Sequence, residues 1–235
     1  MSRLGKDLHP GDKMPTEDEL IRQFGVSRIT VRRAVQNLVG RGLAVSKPGR
    51  GTFVTPVPKI IQPLTELTSF VEDVEAHGHT ASARVLTIEE IPAPPDVLAA
   101  LGLPIGSTVT FIERVRLADG RPISFDRTYL VPELGALIAC DDLEHEPIFA
   151  LLEQRHDTPL VEAAYTLQAV GAASDVAVAL QLPPNSPILR IERTVFTTGN
   201  RPVDYEVLHY SGDTMAFTAR LPRNPAPRGG DASDH

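Results

Sequence analysis

The stretch PGDKMPTEDELIRQFGVSRITVRRAVQNLVGRGLAVSKPGRGTFV, residues 10–54, decides how the amino-terminal part of this chain folds. Thr16 and Glu19 stand at the T-x-x-E spacing of a capping box, which predicts a helix from Glu17 onward. Gly25 is placed to end that helix in a left-handed cap. Ser27 is a good N-cap for a second helix, predicted to run to about Arg41 and to close at Gly42. Within it Val31, Ala34, Val35, Leu38 and Val39 follow the i, i+3, i+4, i+7, i+8 spacing of one buried stripe, while Arg32, Arg33 and Gln36 face away. Two short strands are expected next, Leu43–Ser46 and Thr52–Val54, joined by the turn Lys47-Pro-Gly-Arg-Gly51. Two helices across a short turn, followed by a hairpin, make a winged helix-turn-helix. A three-helix core with a solvated arginine face fits the same pattern.

Charge separates this stretch from the rest. The chain has 235 residues and a net charge of −7. Residues 1–58 hold ten Lys/Arg against five Asp/Glu, and residues 59–235 hold thirteen against twenty-five. Between Gly25 and Thr55 there are six basic residues and no acid. Such a module can bind a polyanion locally while the acidic body stays off it, although a solvated basic face has the same composition. One cysteine, Cys140, excludes an intrachain disulfide and fits a reducing cytoplasm. No run approaches the ~20 apolar residues of a membrane span, and the start lacks the apolar run of a signal peptide.

Further along, residues 56–63 are proline-rich and read as an extended linker, and residues 223–235 read as a disordered tail. Between them, residues 64–222 alternate strands and helices. Helices are expected at Leu64–His77, Pro94–Leu101, Pro147–Gln154 and Ser174–Leu180. Strands are expected at Ala83–Ile91, Thr108–Leu117, Pro122–Val131 and Val161–Val170, with a closing antiparallel meander of Ile188–Thr197, Pro202–Tyr210 and Met215–Arg220. Asp119-Gly120 is a hairpin turn signal. Hairpins with interspersed helices indicate an α+β domain.

Residues 10–54 resemble the winged helix of the GntR regulators, in PGD-x-x-P-T-E, GVSR-x-TVR-x-A and GRGTFV. The resemblance implies DNA contacts from Thr16, Ser27, Arg28, Thr30, Arg32, Arg50, Gly51 and Thr52. Physically, hydroxyls and N–H groups at a helix start suit phosphate, and arginines one turn apart can reach a guanine edge. Asp18 departs from the family, which has an arginine there to meet the DNA. The family also has a full helix before PGD, where this sequence has only Met1–Leu8; the expectation is a start site upstream or a weakened copy.

Residues 64–222 resemble the UTRA effector domain of the HutC subfamily, with its chorismate-lyase-like fold. The resemblance rests on Gly78-His-Thr80, Arg114-Val-Arg116-Leu-Ala-Asp-Gly-x-Pro122, Asp126 and Pro202-Val-Asp-Tyr-Glu-x-x-x-Tyr210-x-Gly-Asp213. It implies an effector site among Thr80, Arg114, Arg116, Asp126, Asp204 and Tyr210. Two arginines alternating on a strand share a face and can hold a phosphate or carboxylate; equally, they can pair with Asp126 and Glu113 to stabilise the sheet. Pro147 and Phe149 stand where sugar-phosphate-binding relatives have hydroxyl donors, which favours a carboxylate or a more apolar ligand.

No residue set calls for a cofactor or metal. His77-Gly-His79 lacks further ligands at zinc spacing, no serine sits in G-x-S-x-G, and Gly49-Arg-Gly51 is too short for a phosphate loop. Cys140, beside Asp141 and Asp142, is not an activated thiol. The resulting expectation is a cytoplasmic, homodimeric repressor that leaves a dyad-symmetric double-stranded operator when a small polar, anionic metabolite binds. A degenerate partner that binds no DNA and an enzyme on a lyase-like fold are the alternatives.

Overall fold

The computed structural model describes residues 8, 11–40, 44–55 and 60–222. The first part is built as its capping residues dictate. Helix α1, Glu17–Phe24, starts on the Thr16–Glu19 capping box and stops at Gly25, whose φ of 65° closes the last turn through a bond to the Ile21 carbonyl. Helix α2, Arg28–Gly40, follows after Val26 and Ser27. Strands β1, Ala44–Lys47, and β2, Gly51–Val54, pair antiparallel to form the wing. Gly51 is needed at its corner: φ is 109°, and an added Cβ would lie 2.8 Å from the Lys13 Cε.

The stripe on α2 is covered only in part. Val31 is buried with Leu20 of α1 and Met14, Val35 and Leu38 are half-buried, and Ala34 and Val39 are exposed. The expectation of one buried stripe is corrected to that extent. Arg41, Gly42 and Leu43, Met1–Asp7 and the tail 223–235 lie outside the described residues.

The second part is organised by one antiparallel six-stranded sheet. In spatial order it runs β4 (Ala81–Pro92), β5 (Thr108–Ala118), β6 (Arg121–Leu130), β9 (Arg201–Ser211), β8 (Pro187–Thr197) and β7 (Leu160–Gly171). The β5–β6 turn needs positive φ at two successive residues, 49° at Asp119 and 75° at Gly120, which is what Asp-Gly supplies. Helices α3 (Phe70–Ala76), α4 (Pro95–Leu101), α5 (Pro132–Ile138), α6 (Ile148–Ala150) and α7 (Ser174–Ala179) fill in around it. Apolar clusters form where they pack, the largest of them around Val97, Ile112, Leu134, Ile138 and Leu152.

Four expectations change. Ile60–Pro63, read as linker, is strand β3, with Ile60 and Gln62 buried. It pairs in parallel with β10, Met215–Thr218, so β10 is no part of a closing meander. The helix expected from Leu64 begins only at Phe70, because the Leu64 N–H is still bonded to the Thr218 carbonyl and Ser69 with Glu72 supplies a second capping box. The helix expected over Pro147–Gln154 is a single α turn, α6, that widens into a π-helical turn over Leu151–Arg155. Helix α5, opened by Pro132 at its first position, was not expected.

Candidate functional site

Two sites emerge, one in each part. At the start of α2, the Ser27 hydroxyl accepts the Thr30 N–H at 3.2 Å and lies 2.9 Å from the Thr30 hydroxyl. The first turn of α2 carries no acid, so its N–H groups and arginines face solvent as a cationic tip. Arg28, Arg32 and Arg33 are exposed along it. Arg28 is not alone: its Nη2 donates to the Asp18 carboxylate at 2.5 Å, across the turn between the helices. Thr16 is occupied by its own cap, donating to Glu19 at 2.8 Å. In the wing, exposed Arg50 sits at the turn closed by its N–H to the Lys47 carbonyl, and Thr52 lies 3.0 Å from the Ser46 hydroxyl.

The second site is the middle of one sheet face. Register places Arg114 opposite Asp126, Arg116 opposite Ser124, Ser124 opposite Tyr210, Thr128 opposite Glu206 and Arg193 opposite Glu206. Alternation along each strand turns all of these to one side, where they are almost wholly buried. Three guanidiniums therefore share a water-poor layer with Asp126, Asp204 and Glu206, and Asp73 of α3 is close enough to feel Arg193.

Most of these charges are matched. Arg116 is ion-paired with Asp126, which also accepts the Ser124 hydroxyl, and reaches Glu206 at 3.6 Å. Arg193 is ion-paired with Glu206 and donates to the Tyr165 hydroxyl at 3.2 Å, with its face against the Phe149 ring at 4.7 Å. Burial works to lower both guanidinium pKa values, and the facing carboxylates reverse it, holding both above the ordinary arginine value.

Arg114 differs. Only its Nη1 finds a partner, the Leu143 carbonyl at 3.5 Å; Nε and Nη2 have none among the described residues. Burial, aided by Arg116, pushes its pKa down to about 10. It forms, with Arg116, the cationic floor of a cleft of about 70 Å³ walled by Phe70, Ala83, Leu143 and Pro147. At the rim, Glu144 accepts the Val85 N–H and Glu146 is paired with Arg155 at 2.8 Å.

The expected effector residues therefore divide. Arg114 and Arg116 reach the cleft. Asp126 is committed to Arg116, the alternative stated above, whereas Glu113 pairs on the other side with Arg127 at 3.0 Å. Asp204 is fully buried with both carboxylate oxygens unpartnered among the described residues. Burial, and next the neighbouring Glu206, raise its pKa well above the ordinary aspartate value. Tyr210 is buried against Phe217, ring centroids 5.5 Å apart, and burial raises its phenol too. Thr80 stands outside the cleft, exposed, its N–H on Asp119 at 2.9 Å. Sequence reasoning missed Arg193, Glu206 and Asp73. Strand parity could have found Glu206, which follows Asp204 by two residues on the same face.

Among the described residues no cluster could hold a metal, and no helix is long and apolar enough to cross a membrane. His77 is a loop brace, its Nδ1 on the Asp73 carbonyl and its Nε2 accepting the Ile61 N–H.

A basic winged helix followed by a sheet domain with a buried cationic cleft defines a ligand-linked transcriptional regulator. The signature of the bacterial regulatory proteins of the gntR family matches residues 4–54, and that of the UTRA domain matches residues 76–216. The HTH-type transcriptional repressor NagR of Bacillus subtilis is 32% identical over 217 residues, 92% of this chain and 88% of that one. The histidine utilization repressor of Pseudomonas putida is 29% identical over 90% of this chain and 84% of its own length. The crystal structure of PhnF from Mycobacterium smegmatis superposes with a TM-score of 0.67 at 27% identity, covering 93% of this chain and 95% of that one. The chain belongs to the GntR family and carries a UTRA domain; it is a transcriptional regulator, not an enzyme.

Proposed function

We propose that this regulator is a homodimeric repressor whose winged helices occupy the two halves of a dyad-symmetric operator and release it when an anionic metabolite enters the cleft at Arg114. The observation that carries the ligand reading is a buried guanidinium with two unpartnered nitrogens lining an open cleft. A buried cation in that state is costly, and a carboxylate or phosphate oxygen would complete its fork. Arg116, braced by Asp126, supplies a second positive charge at fixed distance. Pro147 on the wall and Phe149, turned onto Arg193, offer no hydroxyl, which favours a carboxylate over a sugar phosphate.

The domain limits that fit this reading are 1–55 for the reader and 60–222 for the effector part, since β3 belongs to the latter's hydrogen bonding. Exposed Ser27, Arg28, Arg32 and Arg50 are the groups with reach for a duplex. Thermal-shift screening of the full chain against carboxylates, sugar phosphates and amino-acid catabolites tests the proposal. A true effector raises the melting temperature and releases an operator duplex in a gel shift, with Arg114→Ala unresponsive. Binding at a hundredfold excess over Kd contributes about 2.7 kcal/mol. A neutral compound that acts equally on Arg114→Ala would overturn the anion reading and leave the regulator standing.

A further inference from the structure

We propose that Asp18 and Arg28 read the operator as one unit, the carboxylate holding the guanidinium in register against a guanine and itself accepting from the amino group of a neighbouring cytosine. The inference rests on the DNA-reading role of α2. Asp18 comes from the first turn of α1 and reaches across to the first residue of α2, where its Oδ1 meets the Arg28 Nη2 at 2.5 Å. The side chains are 66% and 64% exposed, so the pair adds little to the stability of the fold and leaves both groups at the surface. No acid lies between Gly25 and Thr55, which makes Asp18 the carboxylate placed against the arginines of that helix start.

The chemistry distinguishes this pair from a simple brake on DNA binding. A guanidinium carries five donors, and the bond to Asp18 uses one of them. The remainder of a fork so braced still matches guanine O6 and N7, with less rotamer freedom to lose on binding. A carboxylate repels phosphate but accepts from cytosine N4, so its place at the tip lowers affinity for any duplex and raises discrimination among duplexes.

The test is selection from a pool of randomised duplexes by the full-length wild type, Asp18→Ala, Arg28→Ala and the double variant. Wild type should select G and C at adjacent positions of each half-site. Asp18→Ala should bind scrambled duplex more tightly yet lose about tenfold of its preference for that cytosine. In the double variant the loss should equal that of Arg28→Ala alone, as coupled residues require. If Asp18→Ala selects the same bases with equal preference, whether tighter or not, or if the two losses add, the unit does not exist. A wild type that selects no sequence would overturn the DNA-reading role itself.

Discussion

Arg28 and Arg116 each face an aspartate, and the two pairs have opposite energetics. The first lies on the surface of the reader, both partners about two-thirds exposed. The second lies under the effector sheet, with Arg116 10% exposed and Asp126 not at all. Water screens the first pair, so neither partner depends on the other for its solvation. The second has no water to fall back on, so each member is held by the other. A pair at the surface is cheap to part; a pair beneath the sheet is expensive to move.

Breaking the buried pair should give the largest effect. Asp126→Ala strands the Arg116 guanidinium and should cost about 3–5 kcal/mol of unfolding free energy, read by urea titration. Arg114→Met should go the other way: with no carboxylate bonded to its guanidinium, removing it should leave the ligand-free protein equally or more stable while abolishing the ligand's thermal shift. A loss of several kcal/mol there would mean that Arg114 has a structural partner.

Asp73 sharpens the contrast through pH. Burial raises its pKa from 3.8 to about 6. The folded state then holds a proton that the unfolded chain releases, so this group stabilises at low pH and its contribution falls as pH rises from about 4 to 6. About two pKa units correspond to roughly 3 kcal/mol. Asp73→Asn, which keeps an acceptor for the Thr68 hydroxyl, should flatten that part of the stability curve against wild type. An unchanged slope would place the titration elsewhere.

On the reader, Arg32→Ala should cost about 1–3 kcal/mol in operator affinity by fluorescence anisotropy, and Arg50→Ala should also reduce the salt dependence. The smallest effect expected is on folding: Arg28→Ala should change stability by no more than ~1 kcal/mol. A larger change would erase the distinction between the two pairs.

What was legible in the sequence follows the range of the interactions. The Thr16–Glu19 box and the Asp119-Gly120 turn are local chemistry, and the elements they bound stand where they were expected. The parallel pairing of Ile60–Pro63 with Met215–Thr218 joins segments some 155 residues apart, and no local signal encodes it. At Leu64–His77 a weak apolar period outweighed Ser69-x-x-Glu72, a capping box in plain view. In the effector site Arg114 and Arg116 were marked by the family resemblance, and their alternation on one strand agreed with it. Their division of labour was not, because it depends on the partners that three neighbouring strands bring to the same face.

Strand β3 also sets a leash. Five peptide links separate Thr55, at the end of the wing, from Ile60, which is hydrogen-bonded at its N–H to the Thr214 carbonyl just before β10. At 3.8 Å per link the chain between them spans at most about 19 Å. Operator half-sites lie about 34 Å apart, centre to centre, for each turn of the duplex. In the proposed dimer, paying out this short tether cannot by itself carry two readers from one helical turn to the next without drawing on nearly its whole length at both ends. In that dimer a rotation of the sheets to which the tethers are pinned would redirect the readers, so that the proposed release would be a matter of aim and not of distance.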